Sequence, residues 1–365
     1  MVKILTFSLL WILPLSAQND FISAKKCARC HQEIYDEWAT SMHAQATSLK
    51  DPLFNGMYQW AIQETGGELE SKCIVCHSPM STVFQKISME EVYNQEGVTC
   101  QFCHGTAHIR GFQSAKNMEV NLDTIYSYHP ESDNSPHPVA NREFFNNSEI
   151  CLPCHAVMKN PKDVEVCATG SEWQIFNQKT GKICQDCHMP KLNGSFSHRF
   201  TGTHQSSLLT NSVEMDLAFD ENTREVKITL TNAGAGHAIP TGTPLRMVML
   251  KLVAYDSVGN LLWQNWEINP IQEDKQALFM KIMGDAEGNA PVPPWRATQT
   301  MFERRLMPGD PYSISYQLTS EAIYDVEASL WYRFAPTFIL AKLKIEEPHF
   351  IRPRLMVQKG MKIVH

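Results

Sequence analysis

The chain has 365 residues, of which 43% are hydrophobic and 19% charged, and this composition excludes a wholly disordered protein. The net charge of −7 argues against a nucleic acid as the main partner, because a surface that binds nucleic acid is basic. The length allows one large domain or two smaller ones.

The first 18 residues are predicted to be a secretory signal peptide. Lys3 precedes an apolar run from Ile4 to Leu15, and the small residues Ser16 and Ala17 follow it. The run is short for a bilayer span, although an uncleaved membrane anchor is the alternative. No later stretch approaches the roughly 20 apolar residues of a spanning helix. We therefore expect a periplasmic or extracellular protein with no stable membrane span.

Ten of the eleven cysteines form five Cys-x-x-Cys pairs, and His directly follows each pair. These motifs are Cys27, Cys30 and His31; Cys73, Cys76 and His77; Cys100, Cys103 and His104; Cys151, Cys154 and His155; and Cys184, Cys187 and His188. Two thiols at this spacing form thioethers with the vinyl groups of a porphyrin, and the adjacent imidazole binds its iron. Zinc ribbons and thioredoxin-like sites also use Cys-x-x-Cys, but neither requires the His. The motifs therefore predict five covalently attached haems c.

Cys167 is the cysteine that belongs to no motif. We expect it to be a buried, unreactive thiol. A further haem contact and an intermolecular disulfide are the alternatives.

Nine histidines lie outside the motifs, and six of them lie between residues 43 and 204, the stretch that holds the motifs. An iron that already has two axial ligands reorganises little when an electron arrives, and imidazole is a good iron ligand. The candidates for the second axial ligand are His43, His108, His137, His198, His204 and His237. His129 and His137 share a loop rich in Pro and Ser, where solvent-exposed histidines are the alternative, and His349 and His365 are expected to be solvated. Methionine is a possible substitute ligand.

The character of the chain changes near residue 207. The motifs in residues 19–206 recur at irregular intervals, which predicts short helices and long loops packed around the porphyrins. Residues 207–346 contain alternating segments separated by polar turns, which predict about seven antiparallel strands in a sandwich. Hairpins are predicted over residues 212–234, around Ser257–Asn260 and around Pro308–Pro311. Residues 347–365 are predicted to be a tail, and the Gly- and Pro-rich loop around His237 is predicted to reach back to an iron. The expected fold class is α+β.

The chain resembles multihaem c-type cytochromes related to the tetrahaem cytochrome of ammonia oxidisers and to the hydroxylamine oxidoreductase-like group. The matching stretches are CARCHQEIYDEWATSMHA, GVTCQFCHG, SEICLPCH, TGKICQDCHMP with SHRFTGTH, and NAGAGHAIPTG followed by PLR. The resemblance implies closely stacked haems with largely bis-histidine ligation, and a β-sandwich after the haem domain. It implies distal roles for the positions of His43, His198, His204 and His237, with His108 and His137 as further candidates.

Two functional classes follow from these features. The first is an electron carrier between exported redox partners such as other cytochromes. The second is a reductase or oxidase that binds a small nitrogen or sulfur oxyanion at one open haem.

The pentahaem nitrite reductases use Lys as the proximal ligand of their catalytic haem, whereas all five motifs here end in His. This difference, and six candidate ligands for five irons, favour the carrier, so no catalytic residue is predicted. A subunit that self-associates into a polymeric cytochrome wire is a third possibility.

Overall fold

The structure is a computed structural model that describes residues 21–128, 134–192 and 194–363. The predicted signal peptide, His129 and His365 lie outside these ranges. Within them, no helix combines the length and the apolar character that crossing a membrane requires. We call residues 21–205 the helical region and residues 206–363 the sheet region.

The helical region consists mainly of short helices. They are α1 (Ala24–Cys27), α2 (Gln32–Ala39), α3 (Met42–Gln45), α4 (Pro52–Thr65), α5 (Glu70–His77), α6 (Met80–Phe84), α7 (Val92–Gln95), α8 (Cys100–Gly105), α9 (Leu152–His155), α10 (Thr169–Thr180) and α11 (Cys184–His188). Single-turn 3₁₀ helices cover Ala115–Asn117, Glu143–Asn146 and Ser148–Ile150. Three of the motifs lie entirely in short helices, Cys151 of the fourth immediately precedes α9, and the first motif begins at the end of α1.

Helix α4 is the longest helix of this region, and local signals define both of its ends. The side chain of Asp51 accepts hydrogen bonds from the backbone N–H groups of Leu53 and Phe54, which satisfies two donors of the first turn. Pro52 occupies the first turn, where its missing N–H costs nothing. Gly66 ends the helix in the left-handed conformation, with φ of 60°. Helix α4 packs against the core of the sheet region through Leu53, Met57 and Trp60.

Short strand pairs complete the helical region. The strands are β1 (Thr106–Ile109), β2 (Met118–Val120), β3 (Ile125–Ser127), β4 (Val139–Asn141), β5 (Met158–Lys159), β6 (Glu165–Cys167), β7 (Lys191–Leu192) and β8 (Ser195–Phe196). They pair β1 with β2, β3 with β4, β5 with β6 and β7 with β8. The β3–β4 pair is parallel and the other three are antiparallel.

The sheet region contains longer strands with few helices between them. Its strands are β9 (Val213–Asp220), β10 (Glu225–Asn232), β11 (Met247–Tyr255), β12 (Leu261–Gln264), β13 (Leu278–Gly284), β14 (Gln299–Arg304), β15 (Pro311–Gln317), β16 (Asp325–Arg333) and β17 (Arg354–Lys362). Its helices are α12 (Ser206–Thr210), α13 (Pro270–Glu273), α14 (Thr337–Lys342) and α15 (Pro348–Ile351), and Lys275–Ala277 forms a 3₁₀ turn.

Two antiparallel sheets share one apolar core. The smaller sheet has the order β15-β10-β9, and the larger has the order β14-β13-β11-β16-β17, with β12 also paired to β11. Alternating side chains of both sheets, such as Ile228 of β10 and Leu250 of β11, meet in this core. The predicted α+β class is confirmed.

Two details of the sheet region differ from the prediction. β14 and β15 were expected to be neighbours around the turn at Pro308, but β14 pairs with β13 and β15 pairs with β10, so they belong to different sheets. The segment expected to be a tail contributes β17, which pairs with β16. Met356 and Ile363 bury their side chains in the shared core, and this burial explains why the segment is ordered as part of the sheet.

Candidate haem-binding sites

Three pairs of imidazole rings face each other, and each pair combines a motif histidine with a histidine from elsewhere. The ring centroids are 6.2 Å apart in the pairs His155–His43 and His104–His198, and 6.1 Å apart in the pair His188–His237. An imidazole nitrogen lies about 2 Å from a bound transition metal and about 1 Å from its own ring centroid. Two axial ligands of one metal therefore have centroids about 6 Å apart. All three pairs have the separation that a shared iron requires.

Backbone carbonyl groups hold the rings of several of these histidines. In each of these rings Nδ1 donates to one backbone carbonyl oxygen. The pairs are His104 to Tyr126 (2.8 Å), His188 to Thr201 (2.6 Å), His198 to Phe196 (3.0 Å), His237 to Ala238 (3.0 Å) and His77 to Ala46 (2.8 Å). A carbonyl oxygen only accepts, so the proton of a neutral ring resides on Nδ1 and Nε2 keeps its lone pair. His43 differs, because its Nδ1 is buried without a hydrogen-bond partner among the described residues.

Desolvation keeps the two rings of the pair His155–His43 neutral. It lowers the pKa of His43 to about 3, and the nearby rings of His155, His188 and His198 lower it further. It also lowers the pKa of His155 to about 4, with added repulsion from His188 and Arg246. Neutral imidazole is the form that binds a metal, so these pKa shifts agree with a ligand role.

Thiols of different motifs lie next to each other. Side-chain hydrogen bonds join Cys27 to Cys100, Cys76 to Cys154 and Cys151 to Cys184. These bonds are the main cause that lowers the pKa of Cys27 and of Cys184 to about 7. The fourth motif therefore touches the second through Cys154 and the fifth through Cys151, while the first motif touches the third.

A cavity of about 580 Å³ lies beside the second motif, among α5, α6 and β2. Its lining includes Ser71 of α5, Val83 of α6, and Lys116 and Met118. The volume falls in the range of pockets that hold cofactor-sized ligands. Met118 and Val83 also pack with Cys76 in one apolar cluster, so the cavity adjoins an attachment thiol.

His77 and His31 do not face a second imidazole in the described part of the chain. The ring of His77 stacks instead on Phe54, with parallel planes and centroids 3.6 Å apart. His31 is exposed. The predicted ligand His108 is exposed on β1, and His137 lies half-buried beside the hydroxyl of Ser135, 3.2 Å from its Nδ1. Neither forms a ring contact with a motif histidine within the described ranges.

His204 contacts His349 rather than a motif histidine. Its Nδ1 lies 2.7 Å from Nε2 of His349, whose Nδ1 lies 2.7 Å from Nη2 of Arg354. The guanidinium can only donate, so a neutral His349 carries its proton on Nε2 and donates it to His204. A neutral His204 in this arrangement keeps its own proton on Nε2. The proposed ligand role of His204 stays a prediction, and the contact with His349 was not anticipated because no local pattern marks it.

Cys167 lies in β6, half-buried, with Sγ 3.4 Å from the hydroxyl of Thr169. No hydrogen bond or ion pair links its thiol to a thiol of any motif among the residues that the structure describes.

Comparisons with known proteins support a multihaem c-type cytochrome. The family model described as cytochrome c554 and c-prime matches residues 26–105, which contain the first three motifs. No curated protein matches the chain. Among solved structures, a penta-heme cytochrome c552 from Thermochromatium tepidum is similar, with 27% sequence identity and a TM-score of 0.83. That match covers 94% of this chain and 99% of the other chain.

Proposed function

We propose that this chain, for which the comparisons support a multihaem c-type cytochrome, carries electrons between exported redox partners through five covalently attached haems. The observation that carries the proposal is the set of three imidazole pairs with centroids 6.1 to 6.2 Å apart. Each pair fits the two axial ligands of one iron, and an iron ligated in this way exchanges electrons without binding a substrate.

The proposal assigns a separate task to each kind of residue. Haem c, when bound, supplies a one-electron iron couple. The ten motif cysteines attach the porphyrins, and His31, His77, His104, His155 and His188 are the proximal ligands. His43, His198 and His237 are the distal ligands of three of these irons. The carbonyl groups that accept from Nδ1 orient the rings and raise the basicity of Nε2.

The thiol contacts support a contiguous arrangement of attachment sites. The fourth motif adjoins the second and the fifth, and the first adjoins the third. Cys103 of the third motif acts electrostatically on Cys151 and Cys154 of the fourth, which joins the two groups. We infer that the fourth motif lies at the junction of a branched set of sites, so electrons can enter and leave by more than one route.

A haem count and an electron paramagnetic resonance (EPR) spectrum of the same oxidised sample test the proposal. We expect five haems per chain by the pyridine haemochrome method, and low-spin ferric signals from at least three irons. A count below five, or a spectrum with fewer than three low-spin irons, would contradict it.

A reductase or oxidase acting on a small oxyanion is the second candidate function. The observation that favours it is that His77, unlike His104, His155 and His188, faces no second imidazole among the described residues. The His204–His349–Arg354 chain lies nearby, since Asp51 acts electrostatically on both His77 and His349. A high-spin ferric signal that shifts on addition of nitrite or sulfite supports this function. If every iron is low-spin and unchanged by either anion, the carrier function alone remains.

Further parts of the proposal concern location, partners and organisation. Residues 1–18 direct export to the periplasm or the cell exterior, residues 19–206 form a pentahaem domain, and the residues from 207 onward form a sandwich domain that includes β17. The partners are redox proteins, including other cytochromes, and self-association into a polymer is testable by size-exclusion chromatography and electron microscopy. The relation to hydroxylamine oxidoreductases stays a prediction from the resemblance.

A further inference from the structure

The loop that carries His237 joins β10 to β11 and crosses from the sheet region to the fifth motif. Two backbone hydrogen bonds between Ile239 and Leu306, of 2.9 and 2.8 Å, attach the loop to the sheet region. The buried side chain of Asn232 donates to the carbonyl of His237 at 2.8 Å. These contacts hold one side of the loop.

Helix α10 holds the other side of the loop through Glu172. One carboxylate oxygen accepts from the backbone N–H of Ala238 at 3.1 Å and from the hydroxyl of Thr241 at 2.7 Å. The carbonyl of the same Ala238 accepts from Nδ1 of His237 at 3.0 Å. Glu172 therefore fixes the residue that in turn orients the imidazole.

The carboxylate of Glu172 is only 6% exposed, and a buried charge without a partner is costly. Arg305 supplies the partner through an ion pair with the second carboxylate oxygen. Among the residues that the structure describes, the carboxylate of Glu172 bonds only to the loop and to Arg305, so the buried charge serves no other described element. Packing alone does not explain this buried ion pair, because an apolar side chain would fill the same volume without the free-energy cost of desolvating two charges.

A second residue on the same face of α10 restricts the loop. Phe176 lies four positions after Glu172, and positions four apart lie on one face of a helix. A Cβ placed on Gly236 would lie 2.5 Å from Cδ1 of Phe176, so only glycine allows the loop to approach so closely. The N-terminal end of α10 lies against the fourth motif, where the N–H of Gly170 donates to the carbonyl of Ala156 at 3.2 Å. Helix α10 thus connects two of the proposed haem sites.

We propose that Glu172, through its hydrogen bonds to Ala238 and Thr241, is the positioning residue that holds His237 opposite His188. The proposal rests on the proposed ligation of one iron by His188 and His237. Glu172 does not touch the iron. It acts by keeping the loop from moving away, and so keeps the sixth position closed to other ligands.

The test is the Glu172→Gln variant of the full holoprotein. We expect an unchanged haem count, a high-spin ferric component worth up to one iron in EPR, and its return to low spin when imidazole is added. We also expect cyanide to bind about tenfold faster or more, since the loop loses a hydrogen bond to a charged group. Normal EPR together with an unchanged cyanide rate would overturn the proposal.

Glu303→Gln is the matched control, because Glu303 pairs with the same Arg305 but has no described contact with the loop. We expect it to behave as the wild type. If Glu172→Gln does not fold, Thr241→Val removes one of the two loop hydrogen bonds, and its cyanide rate decides the question in the same way.

The variant His237→Ala distinguishes the proposed ligation by His237 from the proposed positioning role of Glu172. If His237→Ala leaves every iron low-spin, the proposed ligation itself is wrong. If His237→Ala creates one high-spin iron but Glu172→Gln changes neither EPR nor the cyanide rate, only the positioning role is wrong.

Discussion

The helical region and the sheet region fill their interiors in different ways. Both sheets of the sheet region contribute to one continuous apolar cluster, in which Ile228, Leu250 and Leu330 are fully buried. The helical region has two small clusters, one around Phe102 and one around Trp38, and cysteines of the motifs lie at their margins. The difference indicates that the sheet region can fold on its own side chains, whereas the helical region depends on the porphyrins that its cysteines attach.

Removal of the haems is the strongest way to sharpen this comparison. We expect a chain with all ten motif cysteines replaced by Ser to lose amide protection throughout residues 21–205, because most helices there are too short to be stable alone. Strands β10, β11 and β16 should keep their protection in hydrogen exchange read by mass spectrometry. Equal protection of the two regions would show that the helical region has a sufficient core of its own.

A cavity introduced into the core of the sheet region tests whether that core stabilises the region. Leu250 is fully buried, so Leu250→Ala is expected to lower the free energy of unfolding of the sheet region by about 2–5 kcal/mol. Denaturant titration followed by tryptophan fluorescence measures the change. Val258 is 80% exposed, and Val258→Ala should change it by less than about 0.5 kcal/mol. A similar loss in both variants would contradict the assignment of this core.

A ligand from the helical region gives a smaller, local effect. His43→Ala removes the imidazole that faces His155, so we expect one high-spin iron per chain with little change in global stability. EPR and the visible absorption of the oxidised protein measure the spin state. Gln45→Ala, on the same short helix, is the control. A fully low-spin His43→Ala protein would mean that another residue occupies the position.

Arg246 should have the smallest of these effects. Its positive charge acts on His155 and His237, and a positive charge near an iron favours the reduced state. Arg246→Gln is therefore expected to lower one or more midpoint potentials by a few tens of millivolts, since about 59 mV corresponds to a tenfold change for one electron. Redox titration measures the shift, and Lys227→Gln, at an exposed position, is the control. Unchanged or raised potentials would contradict the assignment.

The features that the sequence allowed us to predict are those encoded over a few neighbouring residues. The alternation around β9 and β10 and the turn before β12 predict hairpins that the structure contains. The pairing of β14 and β15 with distant strands was not predictable, because a turn between two strands does not determine which sheet each strand enters. Strand β17 was also missed, because its pairing with β16 and the burial of Met356 depend on the tertiary structure and not on the local sequence.

In the candidate sites, too, the local features were predictable and the contacts between distant residues were not. The spacing within each motif predicts the proximal ligands, but nothing near His43 in the sequence indicates that it faces His155 rather than another motif histidine. That choice depends on how α3 and α9 pack in three dimensions. Glu172 was missed as well, because an acidic residue in a helix usually lies at the surface, and only the structure reveals its contacts with Ala238 and Arg305.

The thiol contacts between motifs have a consequence for maturation. Cys27 lies against Cys100, Cys76 against Cys154 and Cys151 against Cys184. With a pKa of about 7, the thiols of Cys27 and Cys184 are about half ionised at neutral pH, and the thiolate is the reactive form. In an oxidising compartment, a chain that folded before receiving its porphyrins would bring cysteines of different motifs together and oxidise them to disulfides. Such cross-links would consume both attachment points of the fourth motif and one in each of the other four. We therefore expect thioether formation to come before, or together with, the folding of the helical region.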